Sequence, residues 1–129
     1  MTNTGNGSDS ERGITMTPSP EDLSFHAVRM QRFEEGVRAA RRTNLRMGYM
    51  HSSSLSATTR KSHAERHGKL FTADEVRTFW SDPENVAGCR CVVLEVMLGS
   101  DNRPLIPAFA ENAREAYEKM AARGYDWSK

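Results

Sequence analysis

Apolar residues recur at helical spacing over the first third of the chain. Leu23, Met30, Phe33, Val37, Ala40 and Met47 fall on one side of a helical wheel, and Arg32, Arg38, Arg42 and Arg46 fall on the other. Ser19 suits the cap, Pro20 the first helical position, and Glu21 and Asp22 the positive end of the helix dipole. Gly48 suits the stop, so the pattern predicts a helix over residues 19–47. Residues 49–55 alternate weakly and predict a short strand or an extended lead-in. Thr72 and Glu75 form a capping box that opens a helix over 73–80, with Val76, Phe79 and Trp80 as its apolar edge and Asp82-Pro83 as its end.

Residues 91–98 are β-branched and almost continuously apolar, the strongest strand signal in the chain. A turn follows over 100–104, and Leu105-Ile106-Pro107 reads as a returning edge segment. The last period runs over 108–123. Phe109, Ala113, Ala116, Tyr117 and Met120 share one face, so this helix is expected to lie on the sheet with its charged face in solvent. Glu115 is spaced to pair with Lys119, and Gly124 suits the cap. Residues 1–17 show no apolar period and are rich in Asn, Thr, Gly and Ser. They predict a disordered arm over 1–18 ahead of a single domain over 19–129. The fold class is α+β: a long basic helix, a small mostly antiparallel sheet of two or three strands, one short helix and a C-terminal amphipathic helix.

Composition sharpens this picture in two places. With 129 residues and 37% hydrophobic content, the chain is one domain with a modest core, and no apolar run approaches membrane-spanning length. The net charge of +1 hides a division: residues 29–69 carry ten Lys or Arg against Glu34, Glu35 and Glu65. Arginine outnumbers lysine fourteen to four, and its planar fork suits phosphate or carboxylate. The stripe itself has two readings. Either it is a solvated face in which Glu34 pairs with Arg38, or the like-charged spacing of Arg38, Arg42 and Arg46 is answered by DNA or by an acidic protein surface.

Candidate chemistry concentrates between residues 60 and 91. The two cysteines, Cys89 and Cys91, flank Arg90; on an extended segment they point to one side and Arg90 to the other. This is no secreted disulfide framework, and a reducing compartment is expected. His63 and His67 lie one helical turn apart, so His63, His67, Cys89 and Cys91 form a candidate zinc tetrad. The bland alternative is a hydrogen-bonded His63 beside two small buried thiols, with no cofactor. A cysteine–histidine nucleophile pair oriented by Glu65 or Asp82 is the third reading, but no nucleophile motif surrounds either cysteine, and an enzyme is not expected.

The same stretch resembles the phage Mu protein F-like domain of head-morphogenesis (minor capsid) proteins. That family's motif is similar to D-x-R-T-R-P-x-H, then G-K-x-F, then C-R-C before an apolar strand. Here Thr59-Arg60 and Ser62-His63 match the first block, Gly68-Lys69 with Phe71 the second, and Cys89-Arg90-Cys91 with Val92-Val93 the third. The resemblance covers a motif core over 49–98, behind the arginine-rich helix. Ser56, Thr58 and Lys61 stand where the family usually has Asp, Arg and Pro. His67 stands where it often has Asp, so the zinc tetrad is not implied by it. Such proteins usually carry a longer helical region before the domain, which implies a split, trimmed or remnant chain. The resemblance implies a structural, non-enzymatic role in the virion head near the portal vertex. Portal, capsid or scaffold proteins would be its partners, and double-stranded DNA would be met through Arg32, Arg38, Arg42 and Arg46 in packaging or ejection. Arg60 and Arg90 are placed to tie the loops of the hub through backbone carbonyls or through Asp82 and Glu84. The competing functions are a zinc-stabilised nucleic-acid-binding or nuclease-like module and a toxin-associated fragment of a mobile element.

Overall fold

A computed structural model describes residues 16–129. The first fifteen residues of the expected arm lie outside that range; of the remainder, Met16 rests its Sδ 3.5 Å from the Arg60 guanidinium. Helix α1 spans Pro20–Arg42 behind a Ser19 cap. A reciprocal box forms there, with the Asp22 N–H donating to Ser19 Oγ and the Ser19 N–H donating to Asp22 Oδ2.

The helix ends five residues sooner than its periodicity predicts. Asn44 takes φ 56. The Leu45 N–H then reaches back to Ala40 O at 2.9 Å and the Asn44 N–H to Arg41 O at 3.2 Å, a complete Schellman closure. Tertiary pairing wins over helical period here, because strand β1 (Met47–Ser52) is claimed by the sheet. Arg46 therefore leaves the helical stripe and donates from Nη1 to Asn102 Oδ1 at 2.9 Å. Glu34 likewise answers Arg77, not Arg38, through a two-pronged pair at 2.7 and 2.8 Å.

After β1 come the single helical turn α2 (Lys61–Ala64), β2 (Leu70–Phe71), α3 (Ala73–Trp80), α4 (Pro83–Val86), β3 (Val92–Met97) and α5 (Ala108–Ala121). The sheet is antiparallel throughout, in the order β2-β1-β3. The Thr72–Glu75 box starts α3 as its sequence predicts. Pro83 does not simply end α3: Asp82 caps a new turn that Pro83 opens. Leu105 returns to the sheet only through its N–H to Met97 O and a bridge between Leu98 and Pro104.

The main core lies where α1 crosses the sheet. Phe33, Val37, Tyr49, Val76, Trp80 and Val86 are buried there with both cysteines, and the Phe33 and Tyr49 rings meet edge-on at 5.0 Å. The expected seat of α5 on the sheet is corrected. No residue of α5 is fully buried, and Phe109 is 60% exposed. Instead Tyr117 and Met120 pack on a second small cluster of Leu55, Ala64 and Trp127. Trp127 sits in a closing 3-10 turn, Asp126–Ser128, and donates from Nε1 to Ser56 O at 2.8 Å.

Candidate functional site

Three segments meet beneath α1: the end of β1 at His51, α2 with His63, and the extended run over 89–91 that feeds β3. His63 is 2% exposed, with Nδ1 3.3 Å from Cys89 Sγ and 3.6 Å from Cys91 Sγ. The Cys91 N–H donates to Cys89 Sγ at 3.3 Å. The contact with Cys91, outweighing burial and joined by His63, draws the Cys89 thiol well below its ordinary range. The same contact, with burial, pushes the Cys91 thiol up, so the pair holds one negative charge far more readily than two. Glu65 and Asp82 do not orient His63: Asp82 caps α4, and the His63 ring is bounded by the sulfurs and by the edges of Phe79 and Trp80.

Arg90 turns away from the thiols, as alternation along an extended run requires, and donates from Nη1 to Asp22 Oδ1 at 2.9 Å and to Cys89 O at 2.8 Å. Asp22 Oδ2 accepts a further N–H from Gly88 at 2.9 Å. Burial alone would raise this carboxyl, but the N–H groups of Ser19 and Gly88 and the Arg90 guanidinium together hold it at about 2.

Arg60 ties the other side. It is 8% exposed, and its guanidinium donates to the carbonyls of Glu84, Asn85 and Ala87. No motif or spacing in the sequence singles out Arg29, which is 5% exposed. It donates from Nη1 to Cys91 O at 3.0 Å, meets His26 Nδ1 at 2.9 Å and lies 3.6 Å over the Trp80 ring. Its position is the available signal: Asp22, Arg29, Phe33, Val37 and Ala40 share the buried face of α1, a charged residue inside an apolar stripe. His51 also escapes the sequence patterns. It is 2% exposed, stacks on Trp80 at 5.7 Å and meets His63 edge-on. Burial first, then the charge of Arg66, lowers its pKa to about 3, so it is neutral at ordinary pH.

The structure separates His67 from the thiols. Helix α2 stops at Ala64, and Gly68 at φ 79 turns the chain back toward β2. The assumed helical spacing of His63 and His67 is thus broken, and His67 Nδ1 instead accepts the Ser53 N–H at 3.0 Å. Among the described residues, His51, His63 and Cys91 form a group whose ligand atoms all lie within 4.8 Å of one another. Gly68 is buried against α5, Lys69 is exposed, and Phe71 packs on the core beneath the Arg66 guanidinium at 3.9 Å. Of the basic stripe, Arg32, Arg38 and Arg42 are exposed along α1. A cavity of about 170 Å³ opens beside the hub, lined by Ser53, Ser54, Arg60, His63, Cys89 and Cys91 among others.

These features define a small α+β domain in which imidazoles, thiols and buried guanidinium groups clamp loops to one long helix. Residues 20–94 match the family described as Phage Mu protein F like protein, and the chain belongs to that family of phage head-related proteins. The match takes in α1, the whole hub and the start of β3. No curated protein and no solved structure matches the chain. Among the described residues, no helix is long and apolar enough to cross a membrane.

Proposed function

We propose that this protein is a structural, non-catalytic component of a tailed-phage or prophage head, acting in head assembly near the portal, with portal, capsid or scaffold proteins as its partners. The observation that carries this reading is the family match over residues 20–94, which covers the helix and the hub together. The hub supports it physically. Arg29, Arg60 and Arg90 are committed to carbonyls and to Asp22, which fixes the loops to α1 as a rigid platform. The exposed Arg32, Arg38 and Arg42 add a cationic face suited to a phosphate backbone or to an acidic subunit, the first of which serves packaging or ejection.

The test is to delete the gene from an inducible phage or prophage that carries it and to analyse purified particles by mass spectrometry and electron microscopy. The protein is expected in wild-type heads, and its loss is expected to give aberrant or empty heads that plasmid expression restores. Its absence from virions, together with normal heads in the deletion, would overturn the proposal.

A further inference from the structure

The geometry points to a tetrahedral zinc site built from His51, His63, Cys89 and Cys91, a donor set in which His51 takes the place that sequence spacing gave to His67. Around zinc, Zn–S of about 2.3 Å and Zn–N of about 2.0–2.1 Å put a sulfur and a nitrogen ligand about 3.6 Å apart. His63 Nδ1 stands 3.3 Å from Cys89 Sγ and 3.6 Å from Cys91 Sγ, so both nitrogen–sulfur edges already have about the length such a tetrahedron needs. His51 joins from the Cys91 side: His51, His63 and Cys91 present ligand atoms all within 4.8 Å of one another, a group that does not take in Cys89, so His51 and Cys89 must draw together around the ion to complete the set.

Two further observations favour an ion here. His51 Nε2 is buried without a hydrogen-bond partner, a costly state that a metal bond would relieve. The Cys91 N–H already donates to Cys89 Sγ, the kind of outer contact that steadies a metal-bound thiolate. Charge also balances. With both sulfurs bound as thiolates and both imidazoles neutral, the site around one Zn²⁺ carries no net charge beside the buried Arg29 and Arg60. Binding through His51 Nε2 leaves the proton on Nδ1 and ends the 3.4 Å contact from Arg66 Nε. That contact is long, and the Arg66 guanidinium stays held over Phe71 and Phe79 at 3.9 and 3.7 Å.

The test is made on the full chain, stripped with a chelator and reloaded with zinc or cobalt(II). One zinc per chain by elemental analysis is expected, with thiolate-to-cobalt charge-transfer and tetrahedral d–d bands in the cobalt form. Chelation is expected to lower the melting temperature and zinc to restore it, a reading that does not depend on any variant folding. Cys91→Ser and His51→Gln should lose the ion and the bands, while His67→Gln should keep both. Failure of the wild-type chain to take up zinc or cobalt would overturn the site, as would loss of the ion in His67→Gln with retention in His51→Gln. Head assembly is read separately, so either conclusion survives the failure of the other.

Discussion

Asp22 offers the sharpest measurement of how the hub is fastened to α1. Its two oxygens accept from Ser19 N, Gly88 N and Arg90, joining the start of the helix to the run that carries the cysteines. Asp22→Asn keeps the shape and removes the charge, so it imitates the protonated acid. A carboxyl lowered from an ordinary 3.8 to about 2 corresponds to about 2.5 kcal/mol of folding free energy. The Arg90 side chain is 49% exposed, whereas Asp22 is nearly enclosed. Screening therefore trims the ion-pair share and leaves about 2 kcal/mol, or a loss in melting temperature of about 8 °C.

The sign follows from the lowered folded-state value. The contribution is fully present above the unfolded pKa and is lost as pH falls from about 4 toward 2. Urea unfolding followed by circular dichroism should thus show wild type and Asp22→Asn about 2 kcal/mol apart at pH 7 and converging toward pH 2. Most of the gap should survive in high salt, because backbone N–H donors and not only Arg90 create it. A gap under about 0.5 kcal/mol at pH 7, or one that stays constant down to pH 2, would refute the account.

Two other perturbations probe the second cluster. Gly68 sits at φ 79, and a Cβ on its backbone would lie only 2.9 Å from both Ala113 Cβ and Arg114 N, which leaves no room for a side chain. Gly68→Ala should therefore cost about 2 kcal/mol or more in urea unfolding. A cost near zero would show that α5 does not press on this turn. Trp127 is 2% exposed and bonded to Ser56 O, so Trp127→Ala should cost about 3 kcal/mol and speed hydrogen exchange in α2 and α5. Unchanged exchange there would mean that the C-terminal turn is not a structural anchor.

Local signals with short reach were legible in the sequence. Ser19-Pro20 and the Thr72–Glu75 box mark helix starts because a cap satisfies N–H groups within its own first turn. The β-branched run of β3 marks a strand for a similarly local reason. What escaped was decided by distant partners. Met47 fits the helical period and Gly48 a helix stop, but pairing with Met97 and Val96 draws them into β1. Phe109 shares an apolar face with Tyr117 and Met120, yet it stays 60% exposed, because α5 is held by Trp127 at its far end and not by the sheet. In the candidate site, His63, Cys89 and Cys91 were legible from residue type and spacing. His51 was not, because only the strand register and the stacking on Trp80 bring it to the thiols.

Arginine usage has the same double character. As composition, fourteen arginines against four lysines suggest an anionic partner. In the fold, Arg29, Arg60, Arg90 and Arg114 spend donors on the carbonyls of Cys91, Glu84, Asn85, Ala87, Cys89, Glu65 and His67. Those carbonyls belong to loops and short turns, where no ladder of strands or long helix satisfies them. One guanidinium presents five donors in a rigid plane and can close several such groups at once, which a single ammonium on a flexible stem cannot match. A chain with a modest core and a sheet of three short strands thus gains rigidity by cross-bracing loops, and four of its fourteen arginines are committed to that bracing. The exposed set on α1 (Arg32, Arg38, Arg41 and Arg42) gathers part of the excess on one outward face, so a phosphate or acidic partner is indicated by that face and not by the composition of the whole chain.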